Sequence, residues 1–245
     1  MTKKKEDEKN ALGNRLLAAL PKGEFEKIEP SLELVERENG DVLWEVEEKR
    51  KHLYFPTSML ICLLHETDRG LSAEVGVVGH EGVAGVSLFM GDPKMADRAV
   101  VQRGGVAYRM KSKAVKEEFA ACGDFQDLLM SYTQSLITHI SQTAVCYRLH
   151  SIDQQLARWL LINNDHQGSK TFEMTHEQIA SILGVRRESV SVAAGKLQDL
   201  GLIKCGRGRI KLVDRKGMEG LTCECYSVVK ENYERMLKDY TSQHK

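Results

Sequence analysis

Between residues 174 and 203 the chain reads MTHEQIASILGVRRESVSVAAGKLQDLGLI, and few folds can hold such a stretch. Thr175-His-Glu-Gln178 is a capping box, in which the Thr and Gln side chains satisfy each other's backbone N–H groups at a helix start. It predicts a helix over IASIL that Gly184 ends. A second helical pattern begins almost at once. Val190, Ala193, Ala194 and Leu197 share one face of it, while Arg187, Glu188, Ser191 and Gly195 fall on the other. Two helices joined by a Gly-containing turn this short form a helix-turn-helix. LIKCGRGRIKLV then predicts two short strands around a Gly-Arg-Gly-Arg tip, a β wing.

Charge points the same way. The whole chain is neutral, with 35 basic and 35 acidic residues. Residues 184–216 nevertheless hold nine Lys or Arg against three acids, a local charge of +6 on a chain whose remainder is −6. A basic segment on a neutral chain implies an anionic partner at that segment. Arg and Glu at the start of the second helix suit base edges in a DNA major groove: Arg donates twice to guanine, and Glu accepts from cytosine N4. We therefore expect Arg187, Glu188, Ser191 and Val192 at bases. Thr175, Arg186, Lys196, Lys204, Arg207, Arg209 and Lys211 are expected at phosphates. Taken alone, the Arg-Arg-Glu-Ser cluster would equally suit a solvated helix start; the capped first helix, the tight turn and the basic wing favour DNA.

Upstream, residues 31–112 read as short strands broken by turn signals. SLELVERENGDVLWEVEE divides into two alternating stretches at Asn39-Gly40-Asp41, a hairpin signal. LYFPTSMLICLLHE, LSAEVGVVG, RAVVQRGG and VAYRMK continue the series, as in a sandwich or barrel. A short helix is expected within 12–29. From about residue 114 the period becomes helical, and 125–149 is apolar on two sides: Leu129, Tyr132, Leu136, Ile140, Ala144 and Tyr147 on one, Leu128, Ile137 and Val145 widening it. A helix of that kind must pack on two things. Its own β domain is one candidate and the same helix of a second copy the other, so dimerisation is expected, with burial within one chain as the alternative. Ser151-Ile-Asp-Gln154 is another capping box, before LARWLLIN, and the chain beyond 217 is expected to be helical.

No apolar run approaches the roughly 18 residues a membrane span needs. MTKKKEDEKN has no apolar core, so it reads as a solvated tail and not as a secretory signal. Six cysteines stand at 62, 122, 146, 205, 223 and 225; Cys223-x-Cys225 lacks the C-x-x-C spacing of zinc sites, and buried thiols of a reduced, cytoplasmic protein are the expectation. No Walker loop, H-E-x-x-H helix, Ser/His/Asp order or paired-carboxylate motif suggests an enzyme.

The order of β-roll, long helix and winged helix-turn-helix resembles the cyclic-AMP receptor protein and FNR (Crp/Fnr) superfamily of bacterial transcription regulators. The resemblance runs over roughly residues 12–225 and is closest in HSIDQQLARWLL and in the helix-turn-helix stretch above. It implies an α+β fold with a cyclic-nucleotide-binding-like jelly roll. The implied division is a tail (1–11), a sensor domain (12–124), a dimerisation helix (125–149) and a winged helix-turn-helix with a helical tail (150–245). In this superfamily the recognition helix opens with a base-reading Arg-Glu pair, matched here by Arg187 and Glu188, and Ser191 falls where some members place a base-contacting Ser. Val192 stands where an Arg often reads a third base; valine cannot donate to guanine but can touch a thymine methyl.

VVGHEGVAGVSLFMGDPKMADRAVV resembles the cassette that holds cyclic nucleotides, and by that resemblance Gly82, Gly85, Val86, Asp97, Arg98 and Ala99 would line an effector site. Gly85 stands where the ribose-binding Glu would be, and Asp97 where the phosphate-binding Arg would be. Arg98 is one place along, and one place in a strand turns a side chain to the other face. The glycines also serve simply as turns. An effector other than cyclic AMP is expected, with no cofactor identified. Haem would use His65 or His80, and the iron–sulfur members of the superfamily need grouped N-terminal cysteines, whereas the first here is Cys62. The expected partners are a near-palindromic double-stranded DNA site, a second copy of the chain, RNA polymerase and a small effector. Two rival readings are a ligand-binding or protein-interaction module without specific DNA binding, and an effector-free regulator.

Overall fold

The computed structural model describes residues 10–68, 70, 72–92, 96–167 and 170–244. Residues 1–9 of the expected tail lie outside these. Asn10 caps a 3-10 turn over Ala11–Gly13, and Ala11 is already buried. Two short helices follow, α1 (Arg15–Ala19) and α2 (Lys22–Ile28), where one was expected within 12–29. The break lies at Leu20-Pro21: Leu20 is extended, and Pro21 starts the second helix. Strands β1 (Leu32–Arg37), β2 (Val42–Trp44), β3 (His52–Pro56), β4 (Leu60–Glu66) and β5 (Ser72–Val78) come next. A short helix α3 (Ser87–Met90) separates them from β6 (Asp97–Arg103) and β7 (Gly105–Lys111).

These strands form two sheets, ordered β1-β7-β3 and β2-β6-β4-β5. The hairpin expected at Asn39-Gly40-Asp41 does not form as a ladder. Gly40 makes the turn with φ +89°, but β1 pairs with β7 and β2 with β6, so the chain passes from one sheet to the other there. The alternation of both stretches satisfies a half-buried strand in either sheet, and only long-range pairing decides between them.

The remainder is mostly helical: α4 (Ser112–Ala120), α5 (Asp124–Leu149), α6 (Ile152–Gln167), α7 (His176–Leu183), α8 (Arg187–Asp199), α9 (Arg215–Leu221) and α10 (Cys225–Gln243). A third sheet, β8-β10-β9, is built from Thr171–Phe172, Arg209–Leu212 and Ile203–Gly206. Both capping boxes form. Gln154 Oε1 accepts from Ser151 N at 3.2 Å while the Ser151 hydroxyl accepts from Gln154 N at 3.4 Å, and Thr175 and Gln178 make the same reciprocal pair.

The chain divides into two compact units, each with its own core. The first comprises the residues up to 63, Val77–Ile137 and those from Asn232. Its interior holds Leu16, Leu17, Ile28, Leu53, Phe55, Leu60, Ile61, Val101 and Met110, joined by Phe125, Leu129 and Tyr132 of α5. The second comprises Leu64–Gly76 and Thr138–Glu231. There Leu156, Leu160 and Leu161 of α6 and Ile179 and Leu183 of α7 are buried with the apolar face of α8. Among the described residues no helix is long and apolar enough to cross a membrane.

Along α5 the burial does not follow the two expected apolar sets: Leu128 is buried with the first, whereas Ala144 of the first is exposed and Ile140 and Tyr147 are half-buried. Leu128, Leu129, Tyr132 and Leu136 are buried, whereas Met130, Ile137 and Val145 are 51%, 54% and 41% exposed. Steps of seven and eight residues bring those three to one side of the helix.

Candidate nucleic-acid interface

Gly184 ends α7 in the left-handed conformation at φ +65°, where a β-carbon would be strained. After Val185 and Arg186, α8 begins at Arg187. Val190, Ala193, Ala194 and Leu197 are its buried face, and burial of Val190 and Leu197 alone stabilises the packing by about 1.5–3 kcal/mol each. Arg186, Arg187 and Glu188 are exposed at its start, and Val192 is 60% exposed one turn on. No side chain caps the first turn of α8, where Ser189 N and Val190 N donate to the Arg186 carbonyl.

Ser191 is half-buried, and its hydroxyl lies 3.0 Å from His176 Nδ1 of α7. That contact links the two helices and leaves Ser191 part of its hydrogen-bonding capacity for another partner. The β9–β10 tip is made by Arg207 and Gly208, with Gly208 at φ +67°, and Gly206, Arg207, Gly208 and Arg209 are all exposed. A cleft lined by Thr175, His176, Arg187, Gly206, Gly208 and Arg209 joins the helix starts to this wing. Lys204 and Lys211, neighbours in the β9–β10 register, are exposed beside it.

Two basic residues of the segment are engaged elsewhere. Lys196 Nζ sits 2.8 Å from Asp153 Oδ2, so this expected phosphate contact must compete with an ion pair. Arg215 bonds Asp165, Glu219, Asn164 and Tyr226 at once, and these contacts anchor α9 to α6 and α10. The remaining exposed positive charge of the segment lies at Arg186, Arg187, Lys204, Arg207, Arg209, Lys211 and Lys216.

In the β-roll, the residues expected at an effector are held by protein. Asp97 is buried, takes the Arg50 guanidinium in an ion pair and accepts from Trp44 Nε1 at 3.2 Å, while Arg50 lies over the Trp44 ring at 4.8 Å. Arg98 points the other way in β6 and meets Glu45 at 2.8 Å; Ala99 is buried. Gly82 packs so tightly on Tyr132 of α5 that a β-carbon would come within 2.4 Å of its hydroxyl. Gly85 adopts φ +106°, and a β-carbon there would meet the His52 carbonyl oxygen at 2.9 Å. Val86 is half-buried at the start of α3. The two candidate haem ligands differ in setting: His65 is exposed, and His80 is half-buried with Nδ1 3.9 Å from Glu81.

Residues 154–221 match the family model of the Crp-like helix-turn-helix domain. That stretch is thus a Crp-like helix-turn-helix domain. Transcriptional regulator SdrP of Thermus thermophilus is 34% identical over 58 residues, which are 24% of this chain and 29% of that relative's length. A Crp/Fnr-family structure from Eubacterium rectale superposes with a TM-score of 0.68 at 18% identity, over 84% of this chain and 96% of that one. FixK2 from Bradyrhizobium japonicum superposes with a TM-score of 0.65 at 14% identity, over 78% and 98% of the two chains. The likeness of fold thus covers most of the chain, while the family model matches only the helix-turn-helix stretch.

Proposed function

We propose that the protein is a homodimeric, sequence-specific DNA-binding transcription regulator of the cytoplasm, whose β-roll answers to an effector other than cyclic AMP. The observation that carries the reading is the two-sided α8. Its apolar face is fully buried, while Arg187, Glu188 and Val192 are presented outward beside a wing that exposes Arg207 and Arg209. Arg187 and Glu188 are assigned to base edges, with Ser191 and Val192 reading one turn further. Arg186, Thr175, Lys204, Arg207, Arg209 and Lys211 are assigned to the phosphate backbone, where they position the helix without reading sequence. Lys196 joins them once it leaves Asp153.

The exposed apolar strip of α5 supports the dimer, since Met130, Ile137 and Val145 at two-turn spacing suit a helix pair. Two copies present two recognition helices, and an effector would act by favouring one arrangement of the pair over another. The Asp97–Arg50 pair supports exclusion of cyclic AMP, because a carboxylate at that position repels a phosphate and its arginine is already neutralised.

In-vitro selection of DNA sites with the full chain tests this. We expect a near-palindrome with half-sites about one helical turn, or roughly 10 base pairs, apart. Recovery of unrelated sequences with no shared motif would refute sequence-specific binding.

A further inference from the structure

Cys146 lies in the last turn of α5 and His150 directly follows the helix, while Cys225 opens α10 and Cys223 precedes it by two residues. The fold brings these four side chains together, although 77 positions separate Cys146 from Cys223. All three thiols are buried, with Cys146 and Cys225 at 0% exposure. Cys146 Sγ lies 3.6 Å from Cys223 Sγ, and Cys225 Sγ lies 3.4 Å from His150 Nδ1. The four ligand atoms all fall within 4.8 Å of one another.

These distances have a chemical meaning. Bonds of about 2.3 Å to sulfur and 2.0–2.1 Å to imidazole nitrogen in a tetrahedron put sulfurs about 3.8 Å apart and sulfur about 3.5 Å from nitrogen. The observed pairs match both edges. The 3.6 Å separation is far beyond the roughly 2.05 Å of a disulfide, and every cysteine is free. The surroundings suit a thiolate-bound cation as well. His150 turns Nδ1 inward while its Nε2 lies 3.4 Å from Glu224 Oε1, the carboxylate–histidine arrangement that orients a metal-binding ring. Gln142 Nε2 lies 3.2 Å from Cys225 Sγ as a donor to it. The charge of the buried Arg158 guanidinium acts on Cys146 and Cys225, and it would offset the −1 of three thiolates around a divalent ion.

We propose that Cys146, His150, Cys223 and Cys225 form a mononuclear, tetrahedral site for a thiolate-preferring divalent cation of the Zn²⁺ class. Four protein ligands leave no open position, so the site is structural: it ties the end of α5 to the segment that joins α9 and α10. The assignment is independent of the DNA-reading surface and stands or falls without it.

The test is metal analysis of the full chain, purified under reducing conditions without chelator, followed by Co²⁺ loading of the metal-stripped protein. We expect one Zn²⁺ per chain. Bound Co²⁺ should show thiolate charge-transfer and the strong visible bands of tetrahedral coordination. Cys223→Ser with Cys225→Ser should abolish tight binding, Cys122→Ser at an exposed cysteine elsewhere should leave it intact, and Glu224→Gln should weaken it about tenfold. The wild-type measurement alone decides the matter even if a cysteine variant fails to fold. Absence of stoichiometric Zn²⁺ together with refusal of Co²⁺, an octahedral Co²⁺ spectrum, or a Cys146–Cys223 disulfide persisting in the reduced preparation would each overturn the proposal.

Discussion

Asp97 and Arg50 form a buried ion pair in the β-roll, capped by Trp44. The two charges satisfy each other inside the fold. Trp44 contributes twice, as a donor to Asp97 and as an aromatic face under Arg50.

Removal of one partner breaks a buried ion pair. Asp97→Ala should destabilise the protein by about 3–5 kcal/mol, since the buried Arg50 guanidinium loses this carboxylate. Urea unfolding of the variant checks this. Calorimetry of the wild-type protein with cyclic AMP should give no binding in the micromolar range; a micromolar constant would show that the pair opens to admit a phosphate.

Gly82 is held by contact and not by backbone conformation, for it carries no positive φ. Gly82→Ala should therefore cost about 1–3 kcal/mol through overpacking against Tyr132. Combined with Tyr132→Leu, the glycine substitution should cost markedly less than it does alone, because the two sites share one clash. Additive costs in a double-mutant cycle would contradict this account of the cassette.

Much of the architecture was legible locally. The two capping boxes, Gly184 and the face of Val190, Ala193, Ala194 and Leu197 are short-range signals, and each formed as its residues dictate. Long-range partnerships were not legible. The alternation of 32–37 cannot say that β7 is its neighbour instead of β2, and nothing near Asp97 announces Arg50, 47 positions away. The cysteines show the same limit. Cys223-x-Cys225 departs from familiar metal spacing, and its complements, Cys146 and His150, stand four positions apart at the end of α5, where they read as ordinary pattern positions.

The exposed strip of α5 predicts an assembly. Ile137→Glu places a charge amid that strip, and sedimentation should show the dimer giving way to monomer at micromolar concentration while circular dichroism is unchanged. A variant that remains dimeric would assign the strip no part in the interface.

The wing separates positioning from reading. Arg207 is exposed at the β9–β10 tip and is assigned to phosphate, so Arg207→Ala should weaken binding to cognate and unrelated DNA by similar factors. It should also flatten the salt dependence by about one unit of slope. Binding titrations across a salt series give both quantities.

Arg187 carries the central claim, that the start of α8 reads bases. The direct measurement is the affinity of Arg187→Ala for a library of single-base variants of the selected site, alongside random DNA. The variant should lose about 1–3 kcal/mol on the cognate site, and the preference should relax at one base pair per half-site with little change on random DNA. If it weakens every sequence equally, the cluster is a phosphate clamp and the base-reading role assigned to α8 is wrong.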